Sequence, residues 1–378
     1  MKILIFTSGR SDSGIFSPIV EALSSRSVEI HCIASGSHIV DEFGHTLEEE
    51  LKDWKSAKIH VVPLSQYGNS SVNQSLALGK LQIELTKKIA EISPDLALVL
   101  GDRAEAFVFA GTCSVMGTPL AHFHGGEVTG GALDELHRHA ISKLSALHFV
   151  NSQSAASRLR SMGEDPKKIF YFGSLIRDRI KNLKPASKTD LAKRFNFEWG
   201  ERTALVTIHG ARFDYPSTEV HLSALLSALD AFKDLNVIFT GPNSDPESTG
   251  VRRMILEACR LTPDRFYFVE SFGSEAYLQM LAGCDVAICN SSSLILEAPH
   301  VGVPTIILGS RQRGRGPEKT EIGANEISLR IAIEQSLCSP RSQASNGNYE
   351  GDQTISQRVA DVIISHENIS QQKIFMDT

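Results

Sequence analysis

The chain has 378 residues, room for two or three domains at roughly 150 residues each. Its composition, 42 % hydrophobic and 22 % charged, is that of a globular protein and excludes a disordered, collagen-like or coiled-coil chain. Its 38 Lys and Arg against 44 Asp and Glu give a formal net charge of −6, which argues against a dedicated nucleic-acid or anionic-membrane binder. An anionic ligand would need a few locally placed arginines.

The chain opens on the apolar run Met1–Phe6, too short for a secretory signal, and it leads straight into Thr7-Ser8-Gly9-Arg10. No stretch approaches the roughly 18 apolar residues of a membrane span. The six cysteines (Cys32, Cys113, Cys259, Cys284, Cys289 and Cys338) form no C-x-x-C pair, and several sit in apolar runs. Buried thiols in a reducing cytoplasm are the expectation, rather than zinc or disulfides.

Short apolar runs then alternate with helical patterns. Strands are expected at Ile3–Phe6, Val28–Ile33, Lys58–Val62, Leu96–Leu100, Leu120–Phe123 and Ala146–Val150. Helices are expected at Phe16–Ser24, Val72–Ile92, Ala104–Val115 and Leu133–Leu144. This rhythm reads as βαβ units around a parallel sheet. After the basic stretch Lys181–Lys193 it restarts, with strands at Ala204–Ile208, Asn236–Thr240, Arg265–Val269, Val286–Cys289 and Thr305–Leu308. The organisation expected is an α/β domain over residues 1–180, a second over 181–352, and a helix at 354–365 followed by a loosely ordered tail. In such sheets ligands bind beyond the carboxyl ends of the strands.

Charged and polar residues gather at those ends. The fourth strand is followed by Gly101-Asp102-Arg103, and the fifth by His124-Gly125-Gly126-Glu127 with Asp134 shortly after. In the second half His209-Gly210, Gly241-Pro242-Asn243, Asn290-Ser291-Ser292-Ser293 and the arginine-rich loop Arg311–Arg315 follow strands. Small polar residues at a helix start offer backbone N–H groups and a positive dipole to a phosphate, or form an ordinary serine cap. The arginine loop favours a nucleotide diphosphate, which needs cations, and Glu297 is placed to accept from ribose hydroxyls. No G-x-G-x-x-G or G-x-x-x-x-G-K-[ST] fingerprint is present. The histidines His122, His124, His137, His139 and His148 make a metal site the rival reading, since alternate positions of a strand share a face. The absence of H-E-x-x-H or another familiar ligand spacing disfavours it, and no metal is expected.

With these motifs in order, the whole chain resembles the hydrolysing UDP-N-acetylglucosamine 2-epimerases of sialic-acid and related nonulosonate biosynthesis. The matching segments are S-G-R-S-D-S-G-I-F-S-P-I-V near the start, F-G-H-T at 43–46, G-D-R-A-E at 101–105 and the run from His124 to Lys143. Further on they are G-P-N-S-D at 241–245, N-S-S-S at 290–293 and the stretch from Glu297 to Arg315. The resemblance implies a GT-B-like fold, two Rossmann-like domains facing a UDP-sugar in an interdomain cleft, with the C-terminal helix crossing back to the first domain. It also implies a homodimer or homotetramer and no cofactor. It implies Asp102, Glu127 and Asp134 as the acid–base set, and His209 beside the diphosphate. Arg10, Arg103 and Arg311 are implied as diphosphate cations, with Asn243, Ser291, Ser292 and Glu297 holding the nucleotide.

Three departures stand out. His124 occupies a position where many members carry a catalytic Glu. The interval from Gly126 to Asp134 is one residue longer, and Gly210-Ala211-Arg212 replaces a proline-led loop. His124 is compatible with acid–base work, its ordinary pKa being near neutral. It is equally compatible with a different substrate, such as a 2,4-diacetamido-trideoxy UDP-sugar. Against the leading reading stand a non-hydrolysing epimerase, a GT-B glycosyltransferase and a UDP-sugar-binding sensor.

Overall fold

The computed structural model describes residues 1–36, 47, 51–64, 70–129, 133–211, 214–242, 248–313, 321–342, 353–366 and 369–377, the side chains of Arg10 and Ser11 excepted. The chain divides into two compact units: Met1–Glu127 with Asp134–Arg179 and Asn348–Thr378, and Val128–Leu133 with Ile180–Gly347.

The first unit is built on seven strands: β1 (Lys2–Thr7), β2 (Glu29–Ala34), β3 (Ala57–Val61), β4 (Leu96–Leu100), β5 (Leu120–Phe123), β6 (Leu147–Val150) and β7 (Ile169–Tyr171). They pair in the order β3-β2-β1-β4-β5-β6-β7, parallel throughout. Helices cover both faces, so strand residues are apolar on both sides. Ile3 and Ile5 join one core with Cys32 and Leu98, while Leu4 and Phe6 join the opposite one with Ile33, Ala97 and Val99. The strand order reverses between β1 and β4, which places a switch point at the ends of these two strands.

The second unit repeats the plan. Its strands β8 (Arg202–Thr207), β9 (Leu235–Thr240), β10 (Phe266–Val269), β11 (Val286–Cys289), β12 (Thr305–Leu308) and β13 (Glu321–Ile322) pair in the order β10-β9-β8-β11-β12-β13, again parallel. Val206, Phe239 and Ile288 fill one face and Leu205, Ile238 and Ala287 the other. All six cysteines are free thiols, four of them buried; burial pushes the Cys284 and Cys289 thiols up to about 12.

Three differences from the sequence reading have physical reasons. The first helix starts earlier, at Arg10, and runs to Ser24; in its first turn, the Asp12 carboxylate reaches back to accept from the Ser8 amide at 3.0 Å and the Ser8 hydroxyl at 3.2 Å. Strands β7 and β13 were not expected, being three and two residues long at sheet edges. The tail, expected to be loose, is tied down. Met376 donates its amide to the Gly163 carbonyl at 3.1 Å, and Lys373 bonds to the carbonyls of Ser142 and Lys143, both at 3.1 Å. The helix Ile355–Ser365 carries a capping box between Thr354 and Gln357. It packs on helix Arg10–Ser24 through Ile355, Val359 and Ile363, with Asp178 accepting its Ser356 amide at 2.7 Å.

Candidate active site

At the switch point of the first unit, β4 is followed by Gly101, held at φ +73, and Asp102 and Arg103 lead into helix Ala104–Val115. Two buried residues fix this turn. His122 is fully buried, with Nε2 2.7 Å from the Gly101 carbonyl and Nδ1 3.0 Å from the Ser142 hydroxyl. Burial pushes its imidazole down to about 3, so the ring is neutral. A carbonyl can only accept, so Nε2 carries the proton and Nδ1 accepts from Ser142. Arg138, also fully buried, pairs with Asp102. Asp134 opens the helix Asp134–Leu144 that carries Arg138. Four residues apart, the two share one face of that helix, so Asp134 stands on the side that meets Asp102.

The loop after β5 is shaped by its glycines. At Gly126 φ is +72, and a Cβ would lie 2.4 Å from the Ala155 carbonyl; at Gly125 a Cβ would meet His122 Nδ1 at 2.8 Å. Arg158 donates to the Gly126 carbonyl. His124 is in the left-handed region, φ +63, with its amide on the Phe149 carbonyl at 3.0 Å. Its ring is buried, Nδ1 3.9 Å from Glu127 Oε1, and that carboxylate accepts from Asn151 at 2.7 Å. β5 ends at Phe123, so His124 does not continue the strand face of His122, and the histidine pair behind the metal reading is not formed. His139 bonds Glu135 at 2.9 Å, His148 bonds Glu164 at 2.9 Å, and His137 stacks on Phe107 with ring centroids 5.2 Å apart. Among the described residues no group of three or more His, Cys, Asp or Glu could hold a metal ion. Arg103 lies with Nε 3.6 Å from the buried Glu105 carboxylate.

In the second unit Asn290 ties three strand ends together. Its side chain accepts from the His209 amide and donates to the His209 carbonyl, both at 2.8 Å; its own carbonyl accepts from Arg311 at 3.1 Å and Gln312 at 2.9 Å. Asp214 accepts from the Ser310 amide at 3.0 Å and its hydroxyl at 2.8 Å. Gly309, φ +72, passes so close to Asp214 that a Cβ would lie 2.7 Å from its carboxylate. Ser248 accepts from the Gly210 amide at 2.9 Å. The result is a fixed array of polar loops around His209, Asn290 and Arg311.

The helix after Asn290-Ser291-Ser292 is a single turn, Ser293–Leu296, with Glu297 between it and the equally short Ala298–Val301. A helix that short has little macrodipole, so any affinity for phosphate there rests on local polar groups. Arg313 of the arginine-rich loop pairs with Glu321 of β13 at 2.9 Å, so that cation is spent on the sheet edge. Arg315, Asn243 and the Arg10 side chain lie outside the described residues.

Arg138, Asp214 and Gln312 were not assigned from sequence, and His122 was assigned only in the metal reading. Arg138 could have been found from its position four residues after Asp134, and His122 from the inward position it takes on a buried strand. For Asp214 and Gln312 no sequence signal stands out.

Two parallel, doubly wound sheets with such polar strand ends define a Rossmann-like α/β protein of the GT-B-like class. The model of the UDP-N-acetylglucosamine 2-epimerase family matches residues 21–364, and the chain belongs to that family. It is 33 % identical over 295 residues to the GDP/UDP-N,N'-diacetylbacillosamine 2-epimerase (hydrolyzing) of Campylobacter jejuni, covering 78 % of this chain and 76 % of the relative. It is 28 % identical over 348 residues to the UDP-N,N'-diacetylbacillosamine 2-epimerase (hydrolyzing) of Legionella pneumophila, covering 91 % of each. The structure of the Methanocaldococcus jannaschii UDP-GlcNAc 2-epimerase, in complex with UDP-GlcNAc and UDP, superposes with a TM-score of 0.78 at 21 % identity, covering 97 % of this chain and all of that one; this likeness shows the fold. Among the described residues no helix is long and apolar enough to cross a membrane.

Proposed function

We propose that the protein is a hydrolysing 2-epimerase that converts a UDP-2-acetamido sugar to UDP and the free 2-epimer, N-acetylmannosamine or an analogue. The observation that carries this reading is the acid–base array of the first unit: Asp102 paired with buried Arg138, Asp134 on the same helix face as Arg138, and Glu127 beside His124. A base removes the C2 proton, the C1–oxygen bond breaks, and UDP departs with the electron pair, leaving a 2-acetamidoglucal. Water then adds at C1 while an acid protonates C2 from the opposite face. Such a sequence needs a base and an acid on opposite faces of the sugar, and Asp102, Glu127, Asp134 and His124 are assigned to it. His209, Arg10, Arg103 and Arg311 neutralise the departing diphosphate, while Asn243, Ser291, Ser292 and Glu297 hold phosphate and ribose. The two domains of residues 1–180 and 181–352 divide this labour between sugar and nucleotide.

A second reading, a UDP-2,4-diacetamido-trideoxy sugar as substrate, is favoured by the names of the Campylobacter and Legionella relatives and by His124 in place of a glutamate. Self-association as a homodimer or homotetramer goes with either reading; Val72, Leu76 and Ile83, left exposed along helix Ser71–Ile92, support it. The cytoplasm, where UDP-sugars are made, is the compartment that goes with this function. Incubation with UDP-GlcNAc and with the UDP-diacetamido sugar, followed by NMR, tests the proposal. Free 2-epimer and UDP are expected from one of them; a 2-epimerised nucleotide sugar with no free sugar would make the enzyme non-hydrolysing.

A further inference from the structure

The C-terminal tail carries a lysine whose surroundings are not those of a surface residue. Lys373 Nζ lies 3.1 Å from the carbonyl oxygens of both Ser142 and Lys143, in the last turn of helix Asp134–Leu144, and it pairs with Glu164. The last-turn carbonyls of a helix lack intrahelical donors and attract a cation. Glu164 is itself buried; it accepts from His148 Nε2 at 2.9 Å and forms an ion pair with Lys143 at 2.8 Å. A buried carboxylate stays ionised only when paired in this way. Burial pushes its pKa up, and the bonds from His148, Lys143 and Lys373 outweigh that, holding it near 2. Beyond Lys373, Phe375 lies over Gly163 and under the Lys143 ammonium, 4.9 Å from the ring centre, and the Met376 amide bonds the Gly163 carbonyl at 3.1 Å.

What the lysine holds is the carboxyl end of the helix that presents Asp134 and Arg138. Ser142 links both ends of the arrangement. Its carbonyl accepts from Lys373, while its hydroxyl meets His122, which bonds Gly101 beside Asp102. We propose that the tail is a positioning strap: Lys373, docked between Glu164 and the end of helix Asp134–Leu144, fixes the placement of Asp134, Arg138 and, through Ser142 and His122, the Asp102 turn. Lys373 is thus a positioning residue. Its effect on turnover rests on the proposed epimerase reading, whereas its effect on the helix does not.

The test uses the full-length protein with Lys373→Met and Lys373→Arg, and a chain ending at Ser370. The strap predicts that Lys373→Met speeds amide exchange in the last turn of helix Asp134–Leu144 at least tenfold. It also lowers kcat about tenfold with KM changed less than twofold, since small misplacements of catalytic groups act on the chemical step. Lys373→Arg should restore most of both, and truncation should repeat the Met phenotype. Wild-type exchange and wild-type kcat in Lys373→Met overturn the proposal, even if the truncated chain fails to fold. So does a fall in activity that tracks a global loss of stability and is not rescued by arginine. If the wild-type protein turns over no UDP-amino sugar, the epimerase reading fails on that result, and the exchange measurement still decides the strap.

Discussion

His122 offers a stringent check on how the turn Gly101-Asp102-Arg103 is held. Replacement by leucine removes the bonds to the half-buried Gly101 carbonyl and the buried Ser142 hydroxyl and takes a partner from each of these groups. At about 1 kcal/mol per bond, with a further penalty for the groups that lose a partner, the loss is roughly 3 kcal/mol, or about 10 °C in a unit of this size. Glutamine keeps a donor for Gly101 and does not titrate, so it should cost only about 1 kcal/mol. The pH dependence separates the two effects. The folded His122 is depressed from 6.5 to about 3, so as pH falls below 6.5 the unfolded chain takes up a proton that the folded one refuses. Stability is therefore unaffected by this group above pH 6.5. It declines below that by up to about 1.4 kcal/mol per pH unit. Glu164 loses its contribution only between pH 4.5 and about 2, outside a range of pH 5 to 8. The chain has two tryptophans; in a Trp199→Phe background the buried Trp54, bonded to Ser17 at 2.8 Å, reports on the first unit alone. Urea unfolding followed at Trp54 should show a flatter acid limb for His122→Gln than for wild type. An identical slope between pH 7 and 5, or a cost under about 1 kcal/mol for His122→Leu, would mean that His122 does not hold this turn as a buried neutral ring.

Three further outcomes are expected. Asp102→Asn should lower the rate of UDP release at least a hundredfold, the scale of a lost proton-transfer group, and, by taking the carboxylate charge from buried Arg138, should cost about 3 kcal/mol in the Trp54 unfolding assay; wild-type turnover would remove Asp102 from the acid–base set. Asn290→Ala deletes both bonds across His209 and should raise KM for the nucleotide sugar about tenfold, equivalent to one net hydrogen bond; an unchanged KM would disconnect this array from nucleotide binding. Gly126→Ala places a Cβ 2.4 Å from the Ala155 carbonyl at φ +72 and should cost about 2 kcal/mol, measured by the same unfolding assay; a cost near zero would mean the loop can move aside.

The central strands were legible because parallel strands covered on both faces are continuous apolar runs, as in Leu96–Leu100. The two-residue strand Glu321–Ile322 has no such run and pairs only at an edge. Candidate site positions were legible as the polar residues that follow strands, because a doubly wound sheet gathers its strand ends at one edge. Their supports were not. Arg138 sits in Asp-Glu-Leu-His-Arg-His, a sequence that reads as a solvated helix face, yet it is fully buried against Asp102. Lys373 meets its carbonyl partners across 230 residues of chain, a contact that no local pattern encodes. His124 was legible as a departure, but its left-handed backbone and its approach to Glu127 appear only in three dimensions.

In the proposed reaction, bond cleavage begins with proton removal at C2. Running the reaction in D2O and reading the released sugar by NMR tests it most directly. UDP release is expected together with one solvent deuterium at C2 of the free 2-epimer, and release of UDP from a sugar that keeps its original C2 hydrogen would contradict proton removal at C2.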